Sequence, residues 1–134
     1  MKRSDALAPL SRDHHQALMV AMLLRRGDED AEARFADFWA VYGDEHFAIE
    51  EQLLVVGLLP DDERWSGYVE RMRTEHAELR DRATRPPDAA LGELLAGHVR
   101  FEDREMFPWV EEQLDPDALD QLGRAVAAAH HDAS

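Results

Sequence analysis

Turn-forming residues gather at only four places in this chain, and that spacing limits the possible folds more than any other feature. They are Gly27-Asp28-Glu29-Asp30, Leu59-Pro60-Asp61-Asp62, Arg85-Pro86-Pro87-Asp88 and Asp115-Pro116. The stretches between the marks run about 20 to 27 residues and are rich in Ala, Leu, Glu and Arg, which lose little freedom on entering a helix. Strand signals are missing, since β-branched residues are few and no Asn-Gly turn occurs. Helices are predicted roughly over 4–26, 31–58, 62–84 and 88–113. Short connections force neighbours to run antiparallel. The expected fold is therefore all-α: an up-down-up-down four-helix bundle, a single domain over residues 1–134. Asp61 or Asp62, and Asp88, stand where a helix N-terminus needs an acceptor for its unpaired N–H groups. Asp115 before Pro116 marks a short additional C-terminal helix reaching about His130. Pro108 has no N–H to give, so the fourth segment is expected to kink or break near Met106–Trp109.

The chemistry is narrowed by what the chain lacks. A net charge of −14 leaves no basic face for nucleic-acid phosphates. The longest apolar run, 17–24, is far too short to span a membrane. Lys2 and Arg3 resemble the start of a signal peptide, but no apolar core follows, and a cytoplasmic location is expected. With no cysteine, a metal would have to be held by histidine and carboxylate. The chain carries seven histidines.

His46 precedes Glu50 by four residues, and His98 precedes Glu102 by four, the spacing that stacks two side chains on one helix face. One such pair is more often a surface contact worth a few tenths of a kcal/mol. Here the flanks are apolar: Phe47, Ile49, Leu53 and Leu54 around one pair, Val99, Phe101, Met106 and Phe107 around the other. The first helix brings His14 and His15 beside Leu10, Ala17, Leu18 and Ala21, and the third brings His76 beside Met72 and Leu79. At about 1.5 Å per residue, His14, His46, His76 and His98 fall in one band about 10 Å thick near mid-bundle. Two metal ions would fit such a band. They would also offset the cost of burying the Glu50 and Glu102 carboxylates.

In these pieces the chain resembles the hemerythrin family, including the bacterial hemerythrin-like proteins known as HHE cation-binding domains. The matching stretches are LSRDHHQAL (10–18), HFAIEEQLL (46–54), EHAELR (75–80) and HVRFEDREMFP (98–108). The resemblance implies a non-haem centre of two Fe ions that binds O2 or a related small ligand. Its implied ligands are His14, His46, Glu50 as a bridge, His76, His98 and Glu102. His15 and Asp103 are the second choices, because two adjacent residues compete at each of those places. His14 lies in line with Leu10, Ala17 and Ala21, and Glu102 lies nearer the face of His98. The third helix departs from the family, which places two histidines there; His76 has Met72 before it and Arg80 after it. That departure implies one iron short of a histidine.

The resulting expectation is a protein that binds or senses O2 or NO. The alternative is peroxidase- or catalase-type activity on hydrogen peroxide, with the chemistry belonging to the metal; a metal-free helical interaction module is a further reading. Ferritin-like sites need a Glu three residues before a His, and no such pair occurs. Phe35, Trp39, Phe47 and Phe101 read first as core and second as the wall of a dry cavity. Oligomeric state is not legible in the sequence.

Overall fold

The computed structural model describes residues 4–54 and 62–130, and among them there are helices and no strand. The helices are α1 (Ala8–Arg26), α2 (Ala31–Phe38), α3 (Asp44–Ile49), α4 (Glu63–Arg82), α5 (Ala89–Phe101), α6 (Phe107–Gln113) and α7 (Pro116–Ala129). A π-helical turn at Trp39–Gly43 joins α2 to α3, a second at Glu50–Leu54 continues α3, and a third at Glu102–Met106 joins α5 to α6. The described chain thus makes four long helical stretches and a shorter fifth. The predicted end of the second helix at 58, and Asp61, lie outside the described residues.

The ends follow from local chemistry. α1 starts at Ala8 rather than 4, with Pro9 in its first turn, where the N–H it lacks would have had no partner within the helix. It stops at Gly27, where φ is 65°; Gly27 N–H reaches Leu24 O and Asp28 N–H reaches Leu23 O. That left-handed residue favours glycine. Asp62 accepts from Arg64 and Trp65 N–H, Asp88 from Leu91 N–H, and Asp115 from Ala118 N–H with Pro116 behind it. Of the kink or break expected near Met106–Trp109, no break occurs, and the irregularity takes the form of a π turn. Pro108 enters just after a π turn in which Phe107 N–H reaches back five residues to Glu102 O. The helix absorbs the lost bond by changing its register one turn early.

α1 packs most extensively on α5 and also meets α2, while α4 packs on α5 and α7 lies against the turn Glu50–Leu54. The apolar core falls into two clusters. One gathers Leu10, Ile49, Met72, Phe101 and Phe107, and the other Ala17, Phe47, Leu79, Leu95 and Val99. On α1 His14 lies between Leu10 of one cluster and Ala17 of the other, and on α4 His76 lies between Met72 and Leu79, so a polar layer sits where the two clusters meet on these helices. No described helix is long and apolar enough to cross a membrane.

Candidate metal centre

The helical period turns one residue of each candidate pair inward. On α1, His14 shares the buried face of Leu10, Ala17 and Ala21 and is 3% exposed, whereas His15 is exposed to solvent. Glu102 is fully buried, and its neighbour Asp103 is only partly so. His46, Glu50, His76 and His98 are buried as well.

Two groups of ligand atoms result: His14, His46, Glu50 and Glu102, and Glu50, His76, His98 and Glu102, with the atoms of each group within 4.8 Å of one another. In the first, the Nε2 atoms of His14 and His46 are 3.1 Å apart. Glu102 Oε1 lies 2.9 Å from His14 Nε2, and Glu50 Oε2 lies 3.1 Å from His46 Nε2. In the second, the Nε2 atoms of His76 and His98 are also 3.1 Å apart. Glu50 Oε1 is 3.2 Å from His76 Nε2, and Glu102 Oε2 is 3.3 Å from His98 Nε2. Each glutamate therefore gives one oxygen to each group. Such separations suit atoms that share one ion at about 2.0–2.2 Å.

The outward Nδ1 atoms set the tautomers. His46 Nδ1 donates to Asp13 (2.9 Å), His76 Nδ1 to Glu51 (2.6 Å), His98 Nδ1 to Glu75 (2.8 Å) and His14 Nδ1 to Asp103 (2.8 Å). These four bonds close a ring: α1 holds α3, the turn after α3 holds α4, α4 holds α5, and the turn after α5 holds α1. Each donation turns Nε2 inward, where it can carry a proton or, on the neutral ring, offer its lone pair to a cation.

The inward face then has an excess of acceptors. All four carboxylate oxygens of Glu50 and Glu102 are buried without a hydrogen bond. Two Nε2 atoms 3.1 Å apart cannot both carry a proton between them. Burial alone would lower the imidazole pKa values. The Glu50 charge and the Asp13 bond outweigh it at His46, holding it at about 9, and the Glu102 charge does the same at His98, holding it at about 10. Burial pushes both carboxyls up, and at Glu50 the Glu102 charge adds to it, but the imidazoles pull both below the usual carboxylate range. The layer is built to hold positive charge, as protons or as cations. A buried carboxylate left without such a partner costs several kcal/mol.

The six first-choice residues come together here. His15 does not join them, and Asp103 takes part as the partner of His14 Nδ1. Each group holds two imidazoles, and α4 supplies one of the four, His76. Arg80 points away from the centre, to Glu51 and Asp44. Asp13, Glu51 and Glu75 went unread in the sequence. The available signal was that each adjoins an inward ligand, as in Asp13-His14, Glu50-Glu51 and Glu75-His76.

A pocket of about 10 Å³ lies against His14, His46 and His98, walled by Phe38, Tyr42 and Phe47. Of the aromatics read as a possible cavity wall, Phe47 alone belongs to this pocket. Phe35 stacks on Trp39, and Phe101 packs on Tyr68 in the other apolar cluster. No family model matches this chain, and comparison with curated proteins and with solved structures finds no match.

Proposed function

We propose that this chain is a non-haem di-iron protein of hemerythrin type that binds or senses a small ligand such as O2 or NO. In this reading the four long helical stretches form an up-down-up-down bundle around the centre. The observation that carries it is the convergence of four buried, unbonded carboxylate oxygens on two pairs of imidazole Nε2 atoms. The ring of Nδ1–carboxylate bonds supports the bundle, since it links the four stretches in chain order. His14, His46, Glu50 and Glu102 would hold one ion, and Glu50, His76, His98 and Glu102 the other. Histidine and carboxylate suit several divalent ions; the choice of iron follows the sequence resemblance.

Two iron ions, when bound, supply the redox change and the open coordination that a small ligand needs. The protein's share is to orient and to exclude. Asp13, Glu51, Glu75 and Asp103 lock the imidazole rings, and outer partners of this kind are worth about 10–100-fold in metal affinity. Phe38, Tyr42 and Phe47 wall a pocket of about 10 Å³, no more than the roughly 10–15 Å³ that one water requires. That size excludes organic substrates and leaves room for only a very small ligand beside the centre.

The test is metal analysis of protein purified without added iron, joined to one visible–ultraviolet spectrum before and after reduction. Two irons per chain, with a near-ultraviolet band lost on reduction, are expected. Metal-free protein, or zinc with no such band, overturns the reading. Stopped-flow mixing with hydrogen peroxide then separates binder from enzyme: one stable adduct supports the first, and repeated turnover supports peroxidase-type activity.

A further inference from the structure

His130 immediately follows α7 and is 3% exposed. Its Nε2 donates to Asp13 Oδ2 at 2.8 Å, and the same oxygen accepts the Nδ1–H of His46 at 2.9 Å. A chain of two imidazoles and one carboxylate thus runs from the end of the fifth helix to the centre.

Asp13 differs from the other three outer carboxylates. Glu51, Glu75 and Asp103 keep 25%, 19% and 31% of their side chains exposed, so water can replace a lost donor there. The Asp13 side chain is only 4% exposed. A buried carboxylate that loses one of its donors must bear the loss or shift. The approach of α7 is itself defined. Leu122 and Val126 are buried, and a Cβ at Gly123 would fall 2.9 Å from the Ala6 Cα.

We infer that His130 is a positioning residue for the His14/His46 half of the centre, acting through Asp13, so that docking of α7 is coupled to cation affinity in that half alone. The inference rests on the two-cation reading above. His130 holds Asp13 in place; Asp13 holds the His46 ring with its Nδ1–H outward and its Nε2 lone pair inward. The His76/His98 half takes its outer bonds from Glu51 and Glu75 instead of Asp13.

The test titrates redox-silent zinc(II) into the full chain against a competing chromophoric chelator. Uptake of two zinc ions by the unaltered protein is the premise, and its failure rejects the two-cation reading rather than the role of His130. H130L and H130M fill the same space without a donor; H130Q keeps a donor. Each is measured in an H76A background, where the His14/His46 group alone is complete, and in an H46A background, where the His76/His98 group alone is complete. Circular dichroism confirms matching helical content. With H76A, the apolar variants should weaken binding about tenfold or more, and H130Q should stay within about threefold of the parent, the range expected for an outer partner of a ligand. With H46A, none of the three should change affinity. Unchanged affinity in the first background, or equal loss in both, overturns the inference.

Discussion

Phe47 lies face to face with His76, ring centroids 3.9 Å apart and planes 10° from parallel. The same phenyl ring meets His98 edge-on at 5.7 Å and His46 at 6.2 Å. One side chain therefore touches imidazoles of both ligand groups and closes the pocket beside them.

Removing that ring should cost stability and order together. Phe47→Ala leaves a cavity against three imidazoles, and truncations of this kind cost about 3–5 kcal/mol. Phe47→Leu keeps part of the volume and should cost less. It still frees the His76 ring to turn about its single bond to Glu51. Urea unfolding with metal titration checks both effects: F47L should lose more in cation affinity than its small stability change suggests.

Glu50 and Glu102 each give an oxygen to both groups, and on the two-cation reading that sharing predicts how many ions each variant keeps. Glu50→Gln or Glu102→Gln removes one anionic oxygen from each group at once, so both ions should be held less well. His14→Ala removes a ligand from one group only and should leave one ion behind. Metal analysis after equal dialysis distinguishes these outcomes. An E50Q protein that retains one tight ion would show that Glu50 belongs to a single site.

The inward residues were legible because the helical period is enforced by burial. His14 rather than His15, and Glu102 rather than Asp103, continue the apolar faces of their helices, and both lie buried. The outer carboxylates were not legible in the same way. Asp13 adjoins His14 yet serves His46, and Glu75 adjoins His76 yet serves His98. A residue one step along a helix points about 100° away, toward whichever helix packs there, and that neighbour leaves no mark in the local sequence. The π turns escaped for a related reason. They change the hydrogen-bond register at Glu50 and Glu102 without any proline or glycine at those residues. His130 reaches Asp13 only because the fifth helix folds back onto the first.

Protein stripped of metal by a chelator should lose stability as pH rises. In the folded chain His46 titrates near pH 9 and His98 near pH 10, against the ordinary 6.5 when unfolded. Between those limits the folded state binds more protons than the unfolded one, so stability falls with increasing pH. The contribution is complete below about pH 6.5 and is lost through about 9 and 10. A bound cation replaces these protons, so loaded protein should instead lose metal on acidification. Melting temperatures of both forms across this range test the difference; parallel curves would contradict it.

Gly43 should not tolerate even a methyl group. Its φ of −59° is ordinary helix, so backbone strain is not the reason. A Cβ there would fall 2.3 Å from Cε3 of the Trp39 indole. Glycine to alanine in a helix normally gains about 1 kcal/mol, whereas overpacking costs about 1–3 kcal/mol. The rigid indole makes the second effect the larger one. Gly43→Ala should lower the melting temperature, and its Trp39 fluorescence should shift as the ring is displaced.

Arg80 tests how far outward the centre extends. Its guanidinium grips Glu51 at 2.8 and 3.2 Å and Asp44 at 2.9 Å, and Glu51 in turn accepts from His76 at 2.6 Å. Glu51 is a quarter exposed, so water can take over from the arginine. Water cannot easily take over from Glu51 at His76, which is fully buried. Two losses of different size follow. Arg80→Ala should cost less than about 1 kcal/mol of stability, as exposed ion pairs do, with only a small fall in affinity. Glu51→Ala should weaken the His76/His98 group about 10–100-fold. Arg80→Lys should lie between the unaltered protein and R80A, since an ammonium cannot bridge both Glu51 oxygens. Zinc(II) affinities for these variants rank the chain directly. An R80A loss as large as that of E51A would mean that the guanidinium itself, and not the carboxylate it holds, governs the orientation of His76.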